Sequence, residues 1–350
     1  MRHRACLFHS DRYIDYDFGS SHPMQQRRLL DIMARISAVP GIGETLEFRE
    51  PQMPTDAELC RVHSPQYVNM VHRVSEGDAA EADRWGLGAG DTPGFRGVHP
   101  ASARICGGTL AAAHCLVAED CRIAINLAGG LHHAFADRAS GFCVYNDIAL
   151  GIRTLQDNGL GRVAYVDIDV HHGDGVEALF REDPDVLTVS IHESGEWLFP
   201  GTGRAADRGS GDARDSVVNV PVAPGTNDTL WWESFEAVVP KVLADFAPDA
   251  IVLQIGADAH FADPLAHVRL SSHGWLRAVD WLLEFGADTP VLVTGGGGYD
   301  RDAVVRLRCA GMAVPQSWHD SSRPSALSND EAERIRAYNR RQVLEALRGR

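Results

Sequence analysis

The sequence predicts an α/β protein built on a mostly parallel central sheet flanked by helices. Two observations carry that expectation: short apolar, β-branched runs recur along the 350 residues, and segments with helical patterning lie between them. The runs are residues 5–8, 122–127, 162–168, 186–191, 250–255 and 291–294. Each is too short for a helix, and most lack the polar alternation of a strand with one wet face, so they read as strands buried on both sides. The intervening segments 101–118, 228–246 and 272–285 read as helices. A Ser/Pro-rich stretch, 315–330, reads as a connector to a charged helical segment, 331–347. There Ile335, Tyr338, Val343 and Leu347 form a loose apolar stripe suited to packing on the parent domain or a second subunit. The expected organisation is a single domain, residues 1–314, with residues 315–350 as a connector and helical appendage.

Composition narrows the partners. Hydrophobic residues make up 44% and charged residues 23%, ordinary globular usage that argues against disorder. No apolar run is long enough to suggest a membrane span, and the N-terminus lacks the apolar core of a signal peptide. A net charge of −15 would repel nucleic acid and anionic lipid surfaces. The seven cysteines are odd in number, scattered and without a C-x-x-C pair. That favours a reducing cytosol over a disulfide framework or a structural zinc knuckle. A cytoplasmic protein is expected.

Ligands of open parallel sheets bind beyond the carboxyl ends of the strands, and four strand ends here carry unusual polar residues. These are Gly129-Gly130-Leu131-His132-His133, the run Asp167-Ile168-Asp169-Val170-His171-His172-Gly173-Asp174, Gly256-Ala257-Asp258, and Gly295-Gly296-Gly297-Gly298-Tyr299. On strand alternation, Asp167, Asp169 and His171 share a face, where two carboxylates and an imidazole would desolvate and repel one another without a cation. Asp169 and His171 alone would be an ordinary Asp–His hydrogen bond in a loop; three further polar strand ends make a metal site the better reading. Asp258 is the natural third ligand, and three protein ligands leave an open position, as in catalytic zinc sites. The tandem His132-His133 reads as general acid/base equipment, with Asp167 and Asp174 available to orient the imidazoles. Tyr299, after four glycines, is placed to donate to a developing oxyanion. The glycine run lacks the Lys-Ser/Thr of a phosphate loop and the spacing of a dinucleotide fingerprint.

The strings G-G-L-H-H-A, G-F-C-V-Y-N-D-I-A, D-I-D-V-H-H-G-D-G, F-P-G-T-G, I-G-A-D and G-G-G-G-Y resemble the histone deacetylase superfamily, which has the arginase/deacetylase fold. They occur in the family's order from about His22 to about Met312. Gly90-Asp91-Thr92-Pro93 and Asp263-Pro264-Leu265-Ala266 resemble the bacterial branch linked to acetoin utilisation. Its members are thought to deacetylate lysines of metabolic enzymes such as acetyl-CoA synthetase. The resemblance implies Asp169, His171 and Asp258 as zinc ligands. It implies His133 with Asp174 as principal base and acid, His132 with Asp167 as an electrostatic partner, and Tyr299 as the group polarising the amide carbonyl. Gly141, Phe142 and Phe199 would wall a tunnel for the lysine stem, and Asp91 would grip the substrate backbone.

Many family members bind potassium, K+, in a structural role beside the zinc. The matching positions here are Asp167, Asp169, His171, Ser190 and Ile191, with a second site at Phe180, Asp183, Val186 and Ser216. Ser216 departs from a frequent tyrosine. Met24 and Gln26 replace an acidic residue and a proline of the N-terminal motif, while Arg28 is retained.

The expected activity is zinc-dependent hydrolysis of acetyl-lysine, in a protein or peptide, to lysine and acetate. The alternative keeps the chemistry and changes the substrate to acetylpolyamines or other small N-acyl amides. Leu265, apolar at a position matching one known acidic gatekeeper, favours acetyl-lysine. A non-catalytic acyl-lysine-binding module would be expected to lose a ligand, histidine or tyrosine, and none is lost. A ureohydrolase would need more aspartates for a second metal. Fe(II) suits the Asp-His-Asp set as well as Zn(II) does.

Overall fold

In the computed structural model of the protein, residues 5–285, 288–311 and 323–350 are described. They divide into two compact, interleaved units. The first comprises the chain up to Gly161 with Gly175–Leu179 and Pro290–Gly296; the second comprises Arg162–Asp174, Phe180–Thr289 and the chain from Gly297.

The first unit holds strands β1 (Ala5–Phe8), β2 (Leu46–Arg49), β3 (Ile123–Asn126) and β8 (Val291–Thr294), in the order β2-β1-β3-β8 and all parallel. Its helices are α1 (Arg28–Ser37), α2 (Ile42–Thr45), α3 (Asp56–Leu59), α4 (Pro65–Glu76), α5 (Val98–Val117) and α6 (Asp147–Asp157). The long α5 is buried over most of its circumference and packs on β3, β8 and α6, which suits its run of Ala, Gly and Cys.

The second unit holds β4 (Val163–Asp167), β5 (Val186–Glu193), β6 (Val217–Val222) and β7 (Ala250–Gln254), in the order β7-β4-β5-β6 and again all parallel. All four strands are buried along their whole length, as the apolar runs that mark β4, β5 and β7 predict for those three. Helices α8 (Asp228–Phe246), α9 (Ser272–Glu284), α10 (Arg301–Ala310) and α11 (Asn329–Ala346) belong to this unit, and α7 (Asp174–Phe180) spans the boundary between the two. Helix ends carry their own caps: Asn227 accepts from Leu230 N–H, Ser271 from Gly274 N–H and Asp300 from Ala303 N–H.

The parallel α/β class is therefore as expected. Two strands escaped the sequence reading. β2 is short and largely exposed, and β6 carries Pro221, which weakens its strand signal although it suits a strand at the end of an array. Part of the connector at 315–330, residues 315–322, lies outside the described residues. Beyond it α11 opens with a Ser328/Glu331 capping box and packs on β6 and α8. Asn339 fastens it, accepting Ala223 N–H at 2.9 Å and donating to Thr226 Oγ1 at 3.1 Å. Among the described residues, no helix is long and apolar enough to cross a membrane.

Candidate active site and metal centre

In the second unit, β4 stops at Asp167, so strand alternation does not place Asp169 and His171 as expected. Side-chain-to-backbone turns do it instead. Asp167 Oδ1 accepts Asp169 N–H at 3.0 Å, and Asp169 Oδ1 accepts His171 N–H at 3.0 Å. Each carboxylate thus folds the chain two residues ahead. The second oxygen of Asp167 takes the Tyr165 hydroxyl. Asp258, four residues beyond β7, is tied in by Val170 N–H at 2.9 Å.

His171 Nδ1 consequently lies 3.2 Å from Asp169 Oδ1 and 3.1 Å from Asp258 Oδ2. Both carboxylates are 0% exposed and His171 is 7% exposed. Burial, reinforced by the neighbouring Asp169, pushes Asp258 up to about 7. Burial alone would lower His171, but the two carboxylates overcome it and hold the imidazole at about 10. One imidazole can offset only one of the two carboxylate charges, and a cation would relieve the cost of burying the other. The three ligand atoms lie within 4.8 Å of one another, and two carboxylates with an imidazole form a donor set that suits zinc. The residues fit the metal the sequence implied.

Supporting groups surround this cluster. Asp169 Oδ2 receives Gln254 Nε2 and Gly297 N–H, each at 2.8 Å. A Cβ at Gly297 would sit 1.9 Å from Asp258 Oδ2, so only glycine admits this approach. The fully buried Arg308 donates to the Gly297 carbonyl at 3.3 Å.

Tyr299 meets the His171 ring edge-on at 6.4 Å, and its N–H donates to Asp263 Oδ2 at 2.7 Å. Asp263 Oδ1 takes Leu265 N–H at 2.9 Å, so one carboxylate sets both the tyrosine and the predicted gate position. Burial pushes Asp263 up to about 6 against these two donors. Phe199, 43% exposed, presents an edge to His171 at 6.4 Å.

The first unit contributes another part of the predicted set. His132 and His133 are buried with ring centroids 4.0 Å apart, and the His132 carbonyl accepts Val176 N–H at 3.2 Å. Gly141 has φ +53, and a Cβ there would lie 2.3 Å from His133 Cδ2, so this glycine lets the loop close on the imidazole. Phe142 meets His22 edge-on at 4.6 Å. The exposed Asp91 accepts Gly141 N–H at 3.1 Å and the Thr92 hydroxyl at 3.0 Å, while its carbonyl is 3.0 Å from His22 Nε2. Asp174 opens α7 in the second unit, its N–H donating to the His172 carbonyl at 2.8 Å.

For the two expected potassium positions, β4 and β5 pair Asp167 with Ser190, whose hydroxyl meets His192 Nδ1 at 2.8 Å. Ile191 is the next residue of β5. Backbone turns join Phe180, Asp183 and Val186, and the Ser216 carbonyl takes Thr188 N–H. The Ser216 hydroxyl is buried without a hydrogen-bond partner.

Gln254, Asp263, Arg308 and Asp147 were missed as site residues. Asp147 shapes the histidine loop by accepting Leu131 N–H at 2.8 Å, Gly130 N–H at 3.1 Å and the Thr109 hydroxyl at 2.6 Å. Gln254 left a signal, as the polar last residue of an apolar run. Arg28, retained where its neighbours departed from the family pattern, is buried and donates to the Gly296 carbonyl at 3.1 Å.

Parallel strands ending in a buried Asp–His–Asp cluster beside a tyrosine define an α/β protein with a candidate metal centre. The Histone deacetylase domain profile matches residues 22–314. The chain is 39% identical over 322 residues to the acetoin utilization protein AcuC of Bacillus subtilis, covering 90% of this chain and 80% of that protein. It is 36% identical over 321 residues to AcuC of Staphylococcus aureus strain MRSA252, with the same coverage. It is also 36% identical over 312 residues to histone deacetylase RPD3 of Saccharomyces cerevisiae, covering 88% of this chain and 71% of RPD3. The chain belongs to the histone deacetylase family, resembles its AcuC branch, and is an amide hydrolase.

Proposed function

We propose that this enzyme is a zinc-dependent deacetylase that hydrolyses the N-acetyl amide of acetyl-lysine in a protein or peptide. The observation that carries the reading is the buried Asp169–His171–Asp258 cluster, whose charge calls for a cation. Zinc, when bound by these three residues, supplies Lewis-acid polarisation and lowers the pKa of water towards about 7. In this reading His133, oriented by Asp174, accepts the proton of the attacking water at a ring nitrogen and returns it to the departing amine. His132, with Asp167, supports the developing charge. The Tyr299 hydroxyl donates to the oxyanion that forms from the acetyl carbonyl. Phe142 and Phe199 flank the lysine stem beside Gly141, and Asp91 holds substrate N–H groups.

The remaining assignments belong to the same reading. Potassium is structural, at the Asp167/Ser190 and Phe180/Ser216 positions. Residues 1–314 form the catalytic domain and residues 315–350 its appendage. The enzyme works in the cytoplasm, and acetyl-CoA synthetase belongs to the class of acetylated metabolic enzymes it would serve. Half-buried Leu265 offers no charge to select a polyamine cation, which supports a peptide substrate over acetylpolyamines.

The test is turnover of an acetyl-lysine peptide and of N-acetylputrescine side by side, with zinc-loaded and chelated protein. Metal-dependent cleavage of the peptide alone is expected. Preference for the polyamine would overturn the substrate, and cleavage of neither would overturn the assigned reaction.

A further inference from the structure

Three cysteines that are scattered in sequence meet in the first unit. Cys6 is the second residue of β1, Cys115 sits in the last turn of α5, and Cys121 lies in the connector before β3. All three are buried, with their sulfurs within 4.8 Å of one another. The sulfurs of Cys115 and Cys121 lie 3.0 Å apart. The chain turns back to achieve this: N–H groups of Ala118, Glu119 and Asp120 bond the carbonyls of His114, Leu116 and Cys115. Glu119 takes a left-handed φ of 55° in that turn.

Two features separate this cluster from thiols that merely fill a core. Arg49 Nη1 lies 3.4 Å from Cys115 Sγ, and Cys115 is among the residues that line a surface cleft with Arg49, Gln52, Met53, His114 and Asp120.

We propose that Cys6, Cys115 and Cys121 form a three-thiolate site for a soft d10 metal ion of the Cu(I) or Zn(II) kind, separate from the Asp169–His171–Asp258 centre. Metal–sulfur bonds of about 2.3 Å at tetrahedral angles place sulfurs about 3.8 Å apart. The sulfurs of Cys115 and Cys121, 3.0 Å apart, and that of Cys6, with all three within 4.8 Å of one another, lie near that spacing. Soft thiolates select such ions over the hard cations that carboxylates prefer. The Arg49 guanidinium faces Cys115 while it pairs with Glu47 at 2.9 Å and Asp120 at 3.1 Å. A third buried thiol beside the close pair is what a metal site requires and a simple disulfide does not.

The experiment is an anaerobic titration of the full-length chain, its carboxylate centre preloaded with zinc, with Cu(I) against a chromophoric Cu(I) chelator. One tightly held Cu(I) per chain is expected, weakened roughly 100-fold in Cys6→Ala and in Cys115→Ser. Binding should be unchanged in Cys60→Ser. X-ray absorption on the wild-type complex should count three sulfur ligands, which keeps the test decisive if a variant fails to fold. Competition between Zn(II) and Cu(I) for the same sulfurs identifies the preferred ion. Fewer than three sulfurs, or binding indifferent to Cys6, overturns the proposal. A Cys115–Cys121 disulfide formed in place of binding, seen as a mass loss of two hydrogens, overturns it as well.

Discussion

Asp147 in the first unit and the pair Asp169 and Asp258 in the second are all buried carboxylates, yet their surroundings differ in kind. Asp147 is surrounded by donors: Gly130 N–H, Leu131 N–H and the Thr109 hydroxyl. Burial raises its pKa, and each of these donors opposes that shift. Asp169 and Asp258 also have donors, but one oxygen of each is turned towards the same imidazole nitrogen. A carboxylate whose lone pairs end on N–H and O–H groups builds a loop. Two carboxylates that converge on one nitrogen, with charge left over, make a cation site.

The widest separation between the two kinds comes from Asp258→Asn. It should remove metal binding and lower kcat/KM by at least ~1,000-fold while leaving the fold intact, because an amide relieves the buried charge it replaces. Metal stoichiometry and a melting curve on one preparation check this; an active, metal-loaded variant would make the cluster scaffolding like Asp147. The converse change, Asp147→Ala, strands several buried donors. It should cost about 3 kcal/mol or more in denaturant unfolding without altering metal stoichiometry. Loss of metal in that variant would erase the distinction drawn here.

Tyr299→Phe sharpens the comparison within the second unit. On the proposed reading, in which the Tyr299 hydroxyl donates to the oxyanion, its removal should lower kcat roughly 100-fold with KM nearly unchanged. A full kcat in steady-state assays would take Tyr299 out of the chemistry.

The smallest effect concerns a buried group that must stay neutral. Burial lowers the His63 imidazole to about 4, although its Nδ1 lies 2.9 Å from the Phe135 carbonyl. Its Nε2 accepts Asn146 N–H at 2.9 Å, which protonation would forbid. Because the folded value lies below the unfolded one, the stability is present above pH ~6.5 and is lost as pH falls towards 4. Between pH 7 and pH 5 the loss should be about 2 kcal/mol. Chelated wild type and chelated His63→Gln compared across that range isolate it, and equal slopes would show that His63 is not responsible.

Much of this was legible in the chain. Six of the eight strands among the described residues announced themselves because strands buried on both faces are runs of apolar residues. The D-I-D-V-H string and Asp258 declared the metal cluster because charge at the end of a buried strand needs a reason. β2 was hidden by its exposure and β6 by Pro221, and Gln254 and Asp263 read as ordinary polar residues until their hydrogen bonds were in view. The alternation argument for Asp169 and His171 does not describe how they meet, since turns beyond the end of β4 bring them together.

Residue identity and local order determined which chemistry was present: the carboxylates, imidazoles, phenol and glycines stand in motifs whose spacing survives in one dimension. Tertiary structure decided which of them meet. Cys6 and Cys115 are separated by most of the first unit's sequence, and only the packing of α5 over β1 and β3, with the turn at Glu119, brings their sulfurs together. Local strings record interactions within a turn or a strand. Contacts set by how helices and strands pack depend on loop lengths and side-chain volumes along the whole chain, and no short pattern writes them down.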